Sequence, residues 1–169
     1  MHTTIKFAKV NPNAIIPSKE IEDMGYDIYP CFSEDNFIIN PFESRLVPTG
    51  IASAFDSDYG LIFRERGSTA IKNIKINAGV IDSGFRNEIF VSIYNANAKP
   101  LIITKETNLN TLKILEDDYV VYPYTKAIVQ GILLPVPTTD IEEYTYEELL
   151  KIPSKRGFGM LGSSSKWDK

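Results

Sequence analysis

Short runs of alternating apolar and polar residues, closed by Gly, Pro, Asn or Asp, recur along most of this chain. The clearest lies in residues 77–95, NAGVIDSGFRNEIFVSIYN, where Ile89, Val91 and Ile93 fall on one face and Glu88, Phe90, Ser92 and Tyr94 on the other. Ahead of it, a Gly, two β-branched residues, Asp82 and a second Gly predict a tight bend, so the stretch reads as a β-hairpin with Asp82 at its mouth. Further strands are predicted around Ile5, Phe7 and Val10, and over residues 27–32, 37–39, 46–55, 60–64, 101–104, 119–122 and 128–136. One helix is predicted over 141–152, where Ile141, Tyr144, Leu149 and Ile152 gather near one side before Pro153. Many short strands with turn residues between them favour a sandwich or barrel over a parallel α/β sheet.

Composition narrows the class. A length of 169 residues suits one domain with a real core, and 43% apolar with 24% charged residues is ordinary for a soluble globular chain. The net charge of −4 argues against a general nucleic-acid or anionic-membrane binder, which would need an excess of Lys and Arg. The lone Cys31 cannot close an internal disulfide or build a thiolate cluster, which points to a reducing compartment and a core role. The start, MHTTIKFAKV, lacks the apolar run of a signal peptide, and no stretch nears the roughly 20 apolar residues of a membrane span, so a cytoplasmic protein is expected. The one histidine, His2, sits at the terminus, which removes Ser/His catalysis and His-based metal sites. Charge divides late in the chain: residues 140–150 hold five acids and no base, whereas 151–169 are basic and rich in Gly and Ser.

Two stretches bear chemistry on their own terms. A Gly-bearing hairpin arm leaves backbone N–H and C=O groups uncovered, which suits a flat ligand recognised along its edge, such as a nucleobase; a turn acid capping its own backbone fits Asp82 equally well. Residues 156–165, RGFGMLGSSS, combine Arg156 with glycines and hydroxyls able to wrap phosphate oxygens, and also fit a plain Gly/Ser tail.

Together these residues resemble the trimeric dUTPases. GVIDSGFRNE is similar to that family's third signature, G-V-I-D-x-x-Y-x-G-x. RGFGMLGSSS is similar to the fifth, R-G-x-G-G-F-G-S-T-G, with Arg156, Gly157, Gly159, Gly162 and Ser163 in place; Met160 stands for a Gly and Leu161 for the Phe that stacks on uracil. Gly25-Tyr26-Asp27-Ile28 looks like the first, A-G-x-D-L. Arg66-Gly67-Ser68-Thr69-Ala70 looks like the second, P-R-S-G-L-A, with Glu65 for Pro and the hydroxyl displaced by one position. YTKAIVQG, residues 124–131, resembles the fourth, G-D-R-I-A-Q-L, with Gln130 aligned and Ala127 where Arg is usual. The signatures occur in family order, and residues 103–124 read as an insertion whose Glu116, Asp117 and Asp118 form a solvated acidic turn.

The resemblance implies an all-β antiparallel jelly-roll barrel of the dUTPase β-clip type. It would occupy residues 1–153, assemble as a homotrimer, and send a C-terminal arm, 154–169, over a neighbour's active site. It also implies hydrolysis of dUTP to dUMP and pyrophosphate, in a bacterial cell or a virus- or phage-infected host. Asp82 would activate water as general base. Arg66, Gly67, Ser68, Gln130, Arg156, Ser163 and Ser164 would hold the triphosphate, with Asp27 in support and Mg²⁺ held by substrate phosphates and water rather than by a direct protein ligand set. Backbone groups of Gly79, Val80, Ile81 and Asp82, with Asn77 nearby, would read uracil. Phe85 would lie under the deoxyribose, and Leu161 and Gly162 would belong to the closing arm. Two alternatives share the resemblance: a dCTP deaminase or bifunctional deaminase of the same fold, which needs a Glu where Ser92 stands, and a regulatory dUTPase that binds a repressor protein.

Overall fold

In the computed structural model, which describes residues 3–155, 157 and 159, the alternating runs become short strands. In chain order these are β1 (Lys6–Lys9), β2 (Tyr26–Ile28), β3 (Asn36–Ile39), β4 (Ser44–Pro48), β5 (Ile51–Ala54), β6 (Tyr59–Glu65), β7 (Ile74–Ile76), β8 (Val80–Ile81), β9 (Phe90–Asn95), β10 (Leu101–Thr104), β11 (Val120–Pro123) and β12 (Val129–Pro135). They form a four-stranded sheet β2-β12-β6-β8, two three-stranded sheets β4-β9-β7 and β11-β10-β3, and the pair β1-β5. Every pairing is antiparallel except β10 with β11. The expected all-β jelly-roll class is thereby realised.

The core follows from the alternation. Ile89, Val91 and Ile93 are buried, as predicted, and meet Leu61 and Phe63 of β6, Ile28 of β2 and Val129 of β12 in one apolar cluster. β10 lies between β3 and β11 and is buried at all four positions, which is why Leu101–Ile103 are apolar in succession rather than alternating, with Thr104 a buried polar residue at its end. Cys31 is buried too, and burial pushes its thiol pKa up, against an opposing hydrogen bond from Tyr124.

Several elements differ from the sequence expectation for identifiable reasons. The predicted strand 46–55 is two strands in different sheets: β4 pairs with β9 and β5 with β1. The switch happens at Gly50, whose φ of 66° only glycine adopts freely, and whose carbonyl accepts Val10 N–H (2.8 Å) and Asn11 N–H (3.0 Å). The predicted strand 27–32 shortens to three residues.

Within residues 103–124 the expected acidic turn is instead the end of a helix. Residues 67–70 form a single turn, α1 (Gly67–Ala70), and Leu109–Asp118 form α2, with Glu116, Asp117 and Asp118 in its last turn. Asn108 starts α2 by accepting Asn110 N–H (2.9 Å) and Thr111 N–H (3.2 Å), and Lys99 Nζ closes it by donating to Asp117 O (2.7 Å). α2 is the crossover that the parallel β10–β11 pair requires.

The chain divides into two units, Met1–Pro137, which carries every strand named above, and Thr138–Lys169. In the second unit the predicted helix 141–152 contracts to α3 (Tyr146–Leu150). Thr145 sets its start: its hydroxyl accepts Glu148 N–H, and the Glu148 carboxylate accepts Thr145 N–H at 2.9 Å. That Thr145 N–H and the Thr145 hydroxyl, which donates to the same carboxylate at 2.8 Å, hold the Glu148 carboxyl below its usual pKa. Among the described residues no helix is long and apolar enough to cross a membrane.

One buried amide ties three segments together. Asn95 Nδ2 donates to Ile39 O (3.0 Å), Asn40 O (3.2 Å) and Lys99 O (2.9 Å), and its Oδ1 accepts Asn97 N–H (3.1 Å). Asn95→Ala strands these carbonyls and should lower the unfolding free energy by about 2–3 kcal/mol; urea unfolding at fixed protein concentration measures it, and an unmoved midpoint would contradict the assignment.

Candidate active site

The first, second and fourth signatures meet on one side of the four-stranded sheet. β12 carries Gln130 opposite Asp27 of β2 and opposite Arg64 of β6. Arg66, just past β6, turns back to the same place: its Nε lies 3.2 Å from Asp27 Oδ1, and its Nη1 donates to Ala127 O at 3.2 Å. Arg66 and Asp27 are each about a third exposed (32% and 33%), so this ion pair is worth at most about 1 kcal/mol and leaves the guanidinium free to engage an anion. No partner for Nη2 occurs among the described residues. Gln130 Nε2 donates to Glu65 O (3.0 Å), which fixes the end of β6 from which Arg66 departs. Ser68, in α1, has its Oγ 3.5 Å from Tyr122 Oη. Gly67 opens that turn with open space around it.

The third signature is built differently from the predicted hairpin. β8 does not pair with β9: Ile81 faces Leu61 and Val80 faces Ile62, both of β6, whereas β9 pairs with β4 and β7. The ribbon that does form joins β7 to β9, extended by Asn77 N–H to Ser92 O (3.1 Å), and its long connection 77–89 carries β8 and Asp82. The reason is the approach at Gly79, whose carbonyl accepts Phe63 N–H at 2.7 Å. A Cβ at position 79 would stand 2.7 Å from Phe63 O, so only glycine permits this docking.

β8 is the edge of its sheet. Backbone groups of successive strand residues point to opposite sides, so Gly79 turns to β6 and Val80 presents its N–H and C=O along the open edge. Asp82 follows at once, exposed, with its carbonyl capped by Phe85 N–H (3.1 Å). Phe85 is 39% exposed on the far side of that turn. Asn77 uses its side chain locally, donating from Nδ2 to Ser44 Oγ at 2.6 Å.

The two halves of the predicted site do not meet within one chain. From the Ile81–Leu61 row to the Gln130–Arg64 row is about 10 Å along β6, and β8 and β2 are three strand steps apart across the sheet, so Asp82 and Asp27 are on the order of 20 Å apart. Arg156, Leu161, Gly162, Ser163 and Ser164 lie outside the described residues. Among the described residues no group of three His, Cys, Asp or Glu side chains could hold a metal ion.

Three further residues contact the candidate site residues in ways that the sequence does not display. Arg86 clamps the Asp82 turn, its Nη1 donating to Ser83 O and to Phe85 O (3.1 Å). Ala127 contributes a carbonyl rather than the usual Arg side chain, and Tyr122 a buried hydroxyl. Arg86 stood inside the third signature and was legible there; Ala127 stood in the fourth as a departure whose main-chain oxygen no letter encodes, and Tyr122 lies outside every signature.

Comparison with known proteins sets the class first. The Staphylococcus bacteriophage 80alpha dUTPase with dUPNHPP shares this fold with a TM-score of 0.72 at 19% identity, covering 96% of this chain and 98% of that one. A dUTPase mutant from phage phi11 of S. aureus, described for the coordination of a structural Mg(II) ion, gives a TM-score of 0.65 at 18% identity over 85% of this chain and 99% of that one. The fold is that of the dUTPases. The sequence pattern of the dUTPase family matches residues 11–137. A deoxyuridine 5'-triphosphate nucleotidohydrolase from Nautilia profundicola is 30% identical over 166 residues, 96% of this chain and 99% of the relative. The chain belongs to the dUTPase family.

The Gly79 contact is testable. Gly79→Ala should destabilise the protein by about 1–3 kcal/mol, because the obstructing atom is backbone and cannot swing aside. Gly84→Ala, with nothing within 4 Å of the added methyl, should unfold near the wild-type midpoint. Equal melting temperatures for the two variants would refute the contact.

Proposed function

We propose that the protein hydrolyses dUTP to dUMP and pyrophosphate at a site shared between copies of the chain. The observation that carries this reading is the placement of an exposed carboxylate, Asp82, immediately after the open β8 edge. Val80 offers one N–H and one C=O there, the complement of a uracil edge that presents an acceptor beside a donor. Replacing O4 by an amino group reverses one partner and leaves a buried pair unmatched, which disfavours cytosine by about 10⁴ or more. Phe85, beside the same turn, would crowd a 2′-hydroxyl.

In the chemical step the Asp82 carboxylate takes a proton from water as the water oxygen bonds to the α-phosphorus. The bond from that phosphorus to the oxygen bridging to the β-phosphate breaks, and pyrophosphate departs with the electron pair. Arg66, Ser68 and Gln130 would hold phosphate oxygens, joined by Arg156, Ser163 and Ser164 of the arm, with Leu161 covering uracil. Asp27, a carboxylate beside Arg66 and Gln130, is the residue of this half that would face an ion arriving with substrate. Magnesium bound to the triphosphate would neutralise phosphate charge, with Asp27 as its protein neighbour through water.

The distance of order 20 Å between Asp82 and Asp27 supports assembly, because α-phosphorus chemistry needs both halves within reach of one triphosphate. A homotrimer with residues 154–169 closing over a neighbour supplies that. Deamination of dCTP has no support here: Ser92 stands where the deaminase acid would be, and its carbonyl accepts Asn77 N–H. A repressor-type protein partner, if one binds, would find α2 with Leu109 and Ile114 exposed.

Two measurements test the proposal. Asp82→Asn should lower kcat for pyrophosphate release by about 10²–10⁴ while leaving KM for dUTP nearly unchanged; wild-type turnover would remove Asp82 from the role. Deleting residues 154–169 should preserve the trimer in sedimentation and reduce turnover by orders of magnitude, and a monomeric, fully active chain would overturn the shared site.

A further inference from the structure

The interior around β11 contains a phenol that the family's signatures do not account for. Tyr122 is 1% exposed, and its ring shares an apolar surround with Thr69, Ile103 and Ile128. Its hydroxyl donates to Ala127 O at 2.6 Å. The same carbonyl accepts Arg66 Nη1 at 3.2 Å, so one main-chain oxygen is held from two sides. The phenol has a single proton, given to Ala127, and its oxygen therefore faces Ser68 Oγ, 3.5 Å away, as an acceptor.

These contacts connect in a line, from Ser68 through Tyr122 and Ala127 to Arg66 and on to Asp27. Arg66 and Ser68 are two of the groups assigned above to phosphate. We propose that Tyr122 is a positioning residue for the phosphate half of the site. By fixing the Ala127 carbonyl it holds Nη1 of Arg66 inward, so that Nη2 faces the substrate, and it rests the Ser68 hydroxyl until a phosphate oxygen displaces it. The role suits this chain in particular. With Ala127 in place of the usual Arg, a backbone acceptor organises the neighbouring cation, and the phenol that steadies this acceptor comes from β11, at the end of the inserted segment. The inference rests on the phosphate reading given under the proposed function.

The test is a double-mutant cycle on kcat and KM for dUTP with Tyr122→Phe and Arg66→Ala. Tyr122→Phe keeps the ring and the packing, so the protein should still unfold cooperatively. In the wild-type background it should raise KM about 3–10-fold with kcat changed less than about twofold, the pattern of lost ground-state binding. In the Arg66→Ala background the same change should have a much smaller effect, the remainder passing through Ser68. Additive effects, or a lowered melting temperature with unchanged KM, would overturn the positioning role. An unchanged KM in Arg66→Ala alone would instead sink the phosphate reading itself, so the two failures are separable.

Discussion

The pairing of β12 against β6 is the constraint on which the site depends. Seven consecutive residue pairs, from Val129 with Glu65 to Pro135 with Tyr59, lock the register of the two longest strands. Slipping β12 by one residue would turn Val129 outward and Gln130 inward while Leu61 and Phe63 stay in the core, so the apolar cluster enforces the alignment. The candidate residues of the sheet lie along this ladder and on its two free sides. β2 adds Asp27 on one side, and β8 adds Val80 and Ile81 on the other. The same ladder that brings Asp27, Gln130 and Arg66 together therefore keeps Asp82 away from them, and the separation is as much a product of the fold as the proximity.

Much of this was legible in the sequence where one face of a strand meets the core. β9 and β12 announce themselves because period-two burial writes period-two hydrophobicity. What alternation does not encode is the partner. The pattern of residues 77–95 is the same whether β8 pairs with β9 or with β6, and the choice was made by Gly79 docking on Phe63, a contact between main-chain atoms. The break between β4 and β5 was equally hidden, since apolar residues continue across Gly50 and only the dihedral changes. α2 escaped notice because it lies on the surface, with Leu109 and Ile114 exposed and no buried residue to set a helical period.

The site shows the same divide. Asp82, Arg66 and Gln130 stand out as candidates because side chains carry the family signatures, and the structure sets Arg66 and Gln130 beside Asp27. Carbonyl groups have no letter of their own. Ala127 looks like a lost residue in the fourth signature, yet its oxygen is an anchor for Arg66. Tyr122 was no easier to find, since an aromatic residue in a strand is ordinarily read as core, and its ring is core; only the hydroxyl points elsewhere.

The parallel pairing of β10 and β11 has an implication for how this chain can change. Both strands begin at the same end of their sheet, so the link between them must run back over four residues of strand, about 13 Å, before any turn is made. β10 is moreover the middle strand, paired on its other side with β3. The 15 residues between Thr104 and Val120 exceed the roughly four that an extended tether would need, and α2 takes up that excess as a helix on the surface. The segment thus acts as a crossover whose length the sheet constrains from below, because the return over β10 must be made whatever the linker contains.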